Sequence, residues 1–171
     1  DVTADRREES ACSNNTRGLI TGGKTESAPA GNNNIDYFTI ASTGDGTDFG
    51  DLSATRQQFG ACASPTRGIT SMGGDDNSGT EGSDIMDYVT IASTGNSADF
   101  GNLVQAMTEE SGAAASNSTI AAWFGGVKTS PSVITGDIGY ITIATLGDAT
   151  DFGDMTARKR NASLGNNHGG V

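Results

Sequence analysis

The sequence is a copy of itself at a fixed period, and that constrains the fold more than any other feature. Tyr37-Phe38-Thr39-Ile40-Ala41-Ser42-Thr43-Gly44 returns as Tyr88-Val89-Thr90-Ile91-Ala92-Ser93-Thr94-Gly95, and again as Tyr140-Ile141-Thr142-Ile143-Ala144-Thr145-Leu146-Gly147. Each copy runs on into Asp-Phe-Gly, at Asp48-Phe49-Gly50, Asp99-Phe100-Gly101 and Asp151-Phe152-Gly153. The tyrosines are 51 and 52 residues apart, and Tyr to Phe is 12 in every copy. A second block repeats between these: Ala11-Cys12 through Thr16-Arg17-Gly18 matches Ala61-Cys62 through Thr66-Arg67-Gly68, followed by Gly22-Gly23 and Gly73-Gly74. In the third unit this block is degenerate at 113–116 but keeps Gly125-Gly126 in place. The single repeat domain, 1–171, divides into 1–50, 51–101, 102–153 and a partial unit at 154–171, about three and a third repeats. Such a period implies stacked units, each unable to bury its apolar face alone.

Each unit reads as strand. Ile35, Tyr37, Thr39 and Ala41 alternate with Asp36, Phe38, Ile40 and Ser42 in a β-rich run with apolar groups on both faces, the pattern of a sheet packed between two neighbours. Short strands follow at 48–52, 59–63 and 68–72, with turns at Gly44-Asp45-Gly46 and Ser64-Pro65-Thr66, so each unit holds four. The Gly-, Asn- and Ser-rich stretches 26–34, 75–83 and 128–136 read as long surface loops that vary between copies.

Composition narrows the function. Lys and Arg number 10 against 21 Asp and Glu, for a net charge of −11, which argues against a cationic nucleic-acid face. Arg6-Arg7 and Arg158-Lys159-Arg160 are too short to change that. No apolar run is long enough to span a membrane as a helix. The absence of an initial Met or a signal-like start reads as a processed product or a fragment. His168 is the one histidine, which leaves no His-based triad or multi-His metal site within one chain.

Four strands per unit with a glycine pair after the second resembles the layout of a kelch-like β-propeller blade. Gly22-Gly23, Gly73-Gly74 and Gly125-Gly126 stand where the kelch double glycine would. Tyr37, Tyr88 and Tyr140 stand like its tyrosine, and Phe49, Phe100 and Phe152 where kelch has Trp. Arg56 follows like its closing arginine, a place taken in unit three by Met107-Thr108-Glu109. The wording IDYFTIASTGDGTDFGDL with ACASPTRG is similar to repeat arrays of tail-fibre and virion-associated proteins of marine bacteriophages, cyanophages included. The resemblance implies an all-β array of propeller-type blades, open or part of a larger ring. It also implies a non-enzymatic structural or adhesive role on a virion, outside the cell. The partners implied are copies of itself or other virion proteins, joined through exposed strand edges, and host glycan or receptor. A bacterial or archaeal surface or filament protein is the alternative, and a propeller enzyme a third reading.

Several residues invite chemistry. Asp45, Asp48 and Asp51 are three apart, as are Asp148, Asp151 and Asp154, with Asn96, Asp99 and Asn102 between them. Such oxygen clusters suit Ca²⁺, and Asp, Asn and Gly favour turns for backbone reasons alone. Otherwise no cofactor is expected. Cys12 and Cys62 hold equivalent places in adjacent units, with Ala114 and Leu164 in the same register. Sheets stack about 10 Å apart while a disulfide needs Cα atoms within about 7 Å, so both read as free thiols in a packing slot. Arg17 and Arg67, with Thr119 in their place in unit three, are set to pair with the recurring aspartates. Trp123 reads as core. The Asn117-Ser118-Thr119 and Asn161-Ala162-Ser163 sequons read as chance matches in an Asn- and Ser-rich chain.

Overall fold

The computed structural model describes residues 1–27, 31–71, 73–74, 82–107, 114–129 and 131–158, and it contains no helix among them. Twelve strands follow in order. The first unit holds β1 (Ser10–Ser13), β2 (Arg17–Thr21), β3 (Asn32–Thr39) and β4 (Thr47–Arg56). The second holds β5 (Gly60–Ala63), β6 (Arg67–Ser71), β7 (Ser83–Thr90) and β8 (Ala98–Met107). The third holds β9 (Ala114–Ser116), β10 (Ile120–Thr129), β11 (Ser132–Thr142) and β12 (Thr150–Asp154). All strand pairing is antiparallel, and within each unit it is sequential. β1–β4 form a four-stranded sheet, and the other strands form an eight-stranded one. The larger sheet is two four-stranded meanders joined by one pair, Lys128 with Met107.

Each unit is therefore a four-stranded layer, and the core lies between layers. One cluster gathers Leu19, Ile35, Phe49 and Leu52 of the first layer with Val89 and Ile91 of the second. The other gathers Ile69, Met86 and Phe100 of the second with Ala121, Trp123, Ile141 and Ile143 of the third. The two-faced apolar pattern is satisfied fully only in the middle layer. Val89 and Ile91 are 7% and 0% exposed, whereas their counterparts Phe38 and Ile40 on the outer side of the first layer are 41% and 49% exposed. At the first seam the layers approach most closely at their first strands, β1 to β5, whereas at the second β8 and β10 lie as close as β5 and β9.

Recurrent local devices make the layers alike. The turn between first and second strands is closed by one side chain that accepts two backbone N–H groups. Asn14 takes those of Thr16 and Arg17, Ser64 those of Thr66 and Arg67, and Asn117 those of Thr119 and Ile120. These are Asx and Ser turns. The third layer departs at 128–136, where sequence composition predicts a long loop. That stretch instead ends β10, turns, and starts β11, with Lys128 opposite Val133 and Thr129 opposite Ser132. Valine and isoleucine at 133–134 favour the pleated backbone, and Gly125-Gly126 is absorbed as a bulge between Phe124 and Gly126. The stretch 75–81 lies outside the described residues, and 32–34 belongs to β3.

Candidate functional site

The repeated residues converge on the seams between layers. Asp-Phe-Gly is a β-bulge in all three. Asp48 faces Asp36 and Gly50 faces Ile35, leaving Phe49 as the extra residue; Phe100 and Phe152 are extra in the same way. A bulged residue drops out of its own ladder, and here the next layer uses its carbonyl. Gly95 N–H donates to Phe49 O at 2.7 Å, and Gly147 N–H to Phe100 O at 2.8 Å. Two residues on, Ser97 donates to Asp51 O at 2.8 Å and Ala149 to Asn102 O at 2.7 Å. The bulge also swings each phenyl edge-on to its tyrosine. Tyr37–Phe49, Tyr88–Phe100 and Tyr140–Phe152 have centroids 5.9, 6.0 and 5.8 Å apart at 79°, 80° and 82°. Such pairs add about 0.5–1.5 kcal/mol beyond burial. Phe49 and Phe100 are each 2% exposed under the following layer, and Phe152, which no layer of the described residues follows, is 71% exposed.

Two arginine sets cross the seams. Arg17 stacks 4.6 Å over Tyr37 and donates to Ile91 O at 2.8 Å; Arg67 stacks 4.8 Å over Tyr88 and donates to Ile143 O at 2.7 Å. The expected pairing of these arginines with aspartates is thus replaced by carbonyl and ring contacts. Their place in the third layer is taken by Ile120, not Thr119, because Asn117 caps Thr119 and Ile120 as Asn14 caps Thr16 and Arg17.

The second set is buried. Arg56 Nη2 lies 3.0 Å from Asp87 Oδ2, with side chains 2% and 0% exposed, and Arg56 Nη1 donates to Ile85 O at 3.0 Å. Ser53 completes the carboxylate's partners through its hydroxyl, at 2.8 and 2.7 Å, and its amide, at 3.1 Å. Burial pulls the Arg56 guanidinium below its ordinary pKa, and the Asp87 charge opposes that pull. Residues 1–6 build the same arrangement on the first layer. Arg6 pairs with Asp36, both side chains 1% exposed, and Thr3 donates to that carboxylate through its hydroxyl and amide.

At the second seam the whole set changes together. By register, Val104 replaces Ser53, Met107 replaces Arg56 and Gly139 replaces Asp87. A charge alone in that position would be unpaired in a low-dielectric site, so the three exchange as a group. The ion pair moves outward to Lys128 and Asp137, 2.9 Å apart and each 30% exposed. Burial opposes the Asp137 charge, but Lys128 and the Thr135 hydrogen bond outweigh it and hold the carboxyl below its usual range.

The remaining sequence candidates fall as follows. Asp45, Asn96 and Asp148 each accept the backbone or terminal N–H that lies across the seam, from Asp1, Asp51 and Asn102. Asp151 accepts from Gly153 N–H at 2.9 Å. Asp48, Asp51 and Asp154 stand on the same bulged strands, and among the described residues no three His, Cys, Asp or Glu groups converge on a metal-sized site. Gly22-Gly23 and Gly73-Gly74 end the second strands, where Gly23 N–H donates to Arg56 O at 2.8 Å; Gly126 N–H donates to Arg158 O at 2.9 Å in the same way. Trp123 is buried at the second seam, beside Gly60. Arg158 is exposed, while Lys159, Arg160, Asn161, Leu164 and His168 lie outside the described residues.

Cys12 and Cys62 are free, and by register Ala115, not Ala114, is their counterpart. The Cys12 sulfur sits against Gly68 of the next layer. Burial pushes its thiol up to about 12, and burial with the neighbouring Cys12 raises Cys62 as well. Thiolate is the reactive form. Both thiols are therefore expected to resist Ellman's reagent at pH 8 in the native protein and to react fully in urea; rapid native reaction of two equivalents would contradict this packing.

Sequence reasoning missed the buried ion pairs. Their signal was present: Asp36 and Asp87 recur one period apart within an apolar strand, with Arg6 and Arg56 recurring likewise. Comparison with known protein families and with curated proteins returns no match to this chain.

Proposed function

We propose that this chain is a non-enzymatic structural and adhesive repeat protein, its layers the blades of a kelch-like propeller or propeller-like array. The resemblance of its repeat to phage tail-fibre sequences assigns it to a virion appendage, outside the cell. One observation carries the non-enzymatic reading: the recurring Arg17, Arg67, Arg56 and Asp87 side chains are engaged in joining layers. What varies from unit to unit is the connection between second and third strands, where a scaffold of this kind presents its recognition surface. The connection at 72–82, rich in Asp, Asn, Ser and Gly, has a composition that suits a polar target such as host glycan.

A cell-surface or filament subunit of a bacterium or archaeon is the second reading, favoured by the apolar residues exposed at both ends of the stack. Mass spectrometry of purified virions from a producing host decides between them. Peptides of this chain at stoichiometric level support the virion assignment. Their confinement to the cell-envelope fraction overturns it.

A further inference from the structure

The two outer faces of the stack are unlike each other, and each is the counterpart of a face that is covered inside it. On the third layer Phe152 and Ile120 stand where Phe100 and Arg67 meet the next layer, and the carbonyl of Arg158, beyond the end of β12, accepts from Gly126 as that of Arg56 accepts from Gly23. On the first layer Phe38, Ile40, Asp36 and Gly44 stand where Val89, Ile91, Asp87 and Gly95 receive the preceding one. We infer that the third layer of one copy docks head to tail on the first layer of a second copy, in the geometry of the internal seams.

The internal seams specify the contacts. Phe152, 71% exposed, covers Ile40 and Phe38, as Phe49 covers Ile91 and Val89. The Phe152 carbonyl accepts the Gly44 N–H, the equivalent of the bonds from Gly95 to Phe49 and Gly147 to Phe100. Ile120 meets Ile40 where Arg17 meets the Ile91 carbonyl. The exposed Arg158 reaches Asp36, so an ion pair closes this seam as Arg56 and Asp87 close the first.

The register also builds in a competitor. Residues 1–6 already lie on the first layer as 51–56 lie on the second. Gly46 donates to Asp1 O as Ser97 does to Asp51 O, and Arg6 and Thr3 hold Asp36 as Arg56 and Ser53 hold Asp87. Docking therefore exchanges residues 1–6 of the receiving copy for the segment of the incoming one that ends at Arg158. Arg158 replaces Arg6 on Asp36, and the carboxylate is never left unpaired. Because the two patches differ, the contact is heterologous, and association is end to face rather than through the strand edges.

Sedimentation velocity of the full chain over a concentration series tests this. Wild type is expected to associate with rising concentration. Phe152→Lys and Ile40→Lys, each at an exposed position, are expected to weaken association by at least about tenfold while melting like wild type. An equimolar mixture of the two is expected to recover a 1:1 dimer and nothing larger, because each keeps one intact and complementary end. If a lysine variant melts early, Phe152→Ser or Ile40→Thr takes its place. A wild type that stays monomeric to its solubility limit, a single variant that still associates as tightly as wild type, or a mixture without heterodimer overturns the proposal.

Discussion

Asp87→Ala is expected to cost about 3–5 kcal/mol of unfolding free energy, the range for removing one partner of a buried ion pair. At about 2–4 °C per kcal/mol for a chain of this size, Tm falls by roughly 10 °C. The reason is the orphaned partner. Arg56 is 2% exposed, and without the carboxylate its Nη2 and the Ser53 hydroxyl lose their buried acceptor. The second seam supplies the compensating set. Introducing Ser53→Val, Arg56→Met and Asp87→Gly together copies Val104, Met107 and Gly139, and is expected to cost less than Asp87→Ala alone, because no charge is left buried. Thermal or urea unfolding of the single and triple variants measures both. A triple variant no more stable than the single one would show that the exchange is not a coordinated replacement.

Gly50→Ala is expected to be strongly disruptive for a single added methyl. Gly50 has φ of +143°, and a Cβ there would lie 2.5 Å from the Gly95 carbonyl of the next layer, backbone against backbone. Neither side can turn aside, so the layers must separate and the bond from Gly95 to Phe49 O is lost. Strain at such a φ costs about 1–3 kcal/mol, and forcing a packed seam apart adds about 1–3 more. Gly153 isolates the two causes. It occupies the same bulge position with φ of +127°, but a Cβ there meets nothing within 4 Å. Gly153→Ala is therefore expected to show the backbone cost alone, so the difference in unfolding free energy between the two variants measures the seam. Equal losses would mean that layer contact contributes nothing at this glycine.

Strand content was legible in the chain because local chemistry announces it. The Tyr-x-Thr-Ile runs and the caps at Asn14, Ser64 and Asn117 depend only on neighbours in sequence. The hairpin at 128–136 was not legible: its polar composition reads as loop, and pairing with β11 decides otherwise. The roles of the acidic triplets were likewise not legible along the chain. Asp45 and Asp148 look like clustered ligands along the chain, yet each side chain points across a seam to one N–H group. Arg17 and Arg67 were placed at the seam by their period, but the partner chosen by opposite charge was wrong. A guanidinium lying over tyrosine finds a carbonyl in its fork, and no carboxylate is needed.

By itself the sequence determined that the unit is β, that it recurs about three times, and which residues are interchangeable between copies. A period in sequence forces a period in space, since like segments fold alike and bury like faces. Tertiary structure alone decided what the motifs are for. Asp-Phe-Gly becomes a bulge only when β4 pairs with β3, and its phenyl is core or surface according to whether another layer follows. Burial is a property of neighbours, and in a stack the last copy of a motif has the same sequence as the others without the same neighbour.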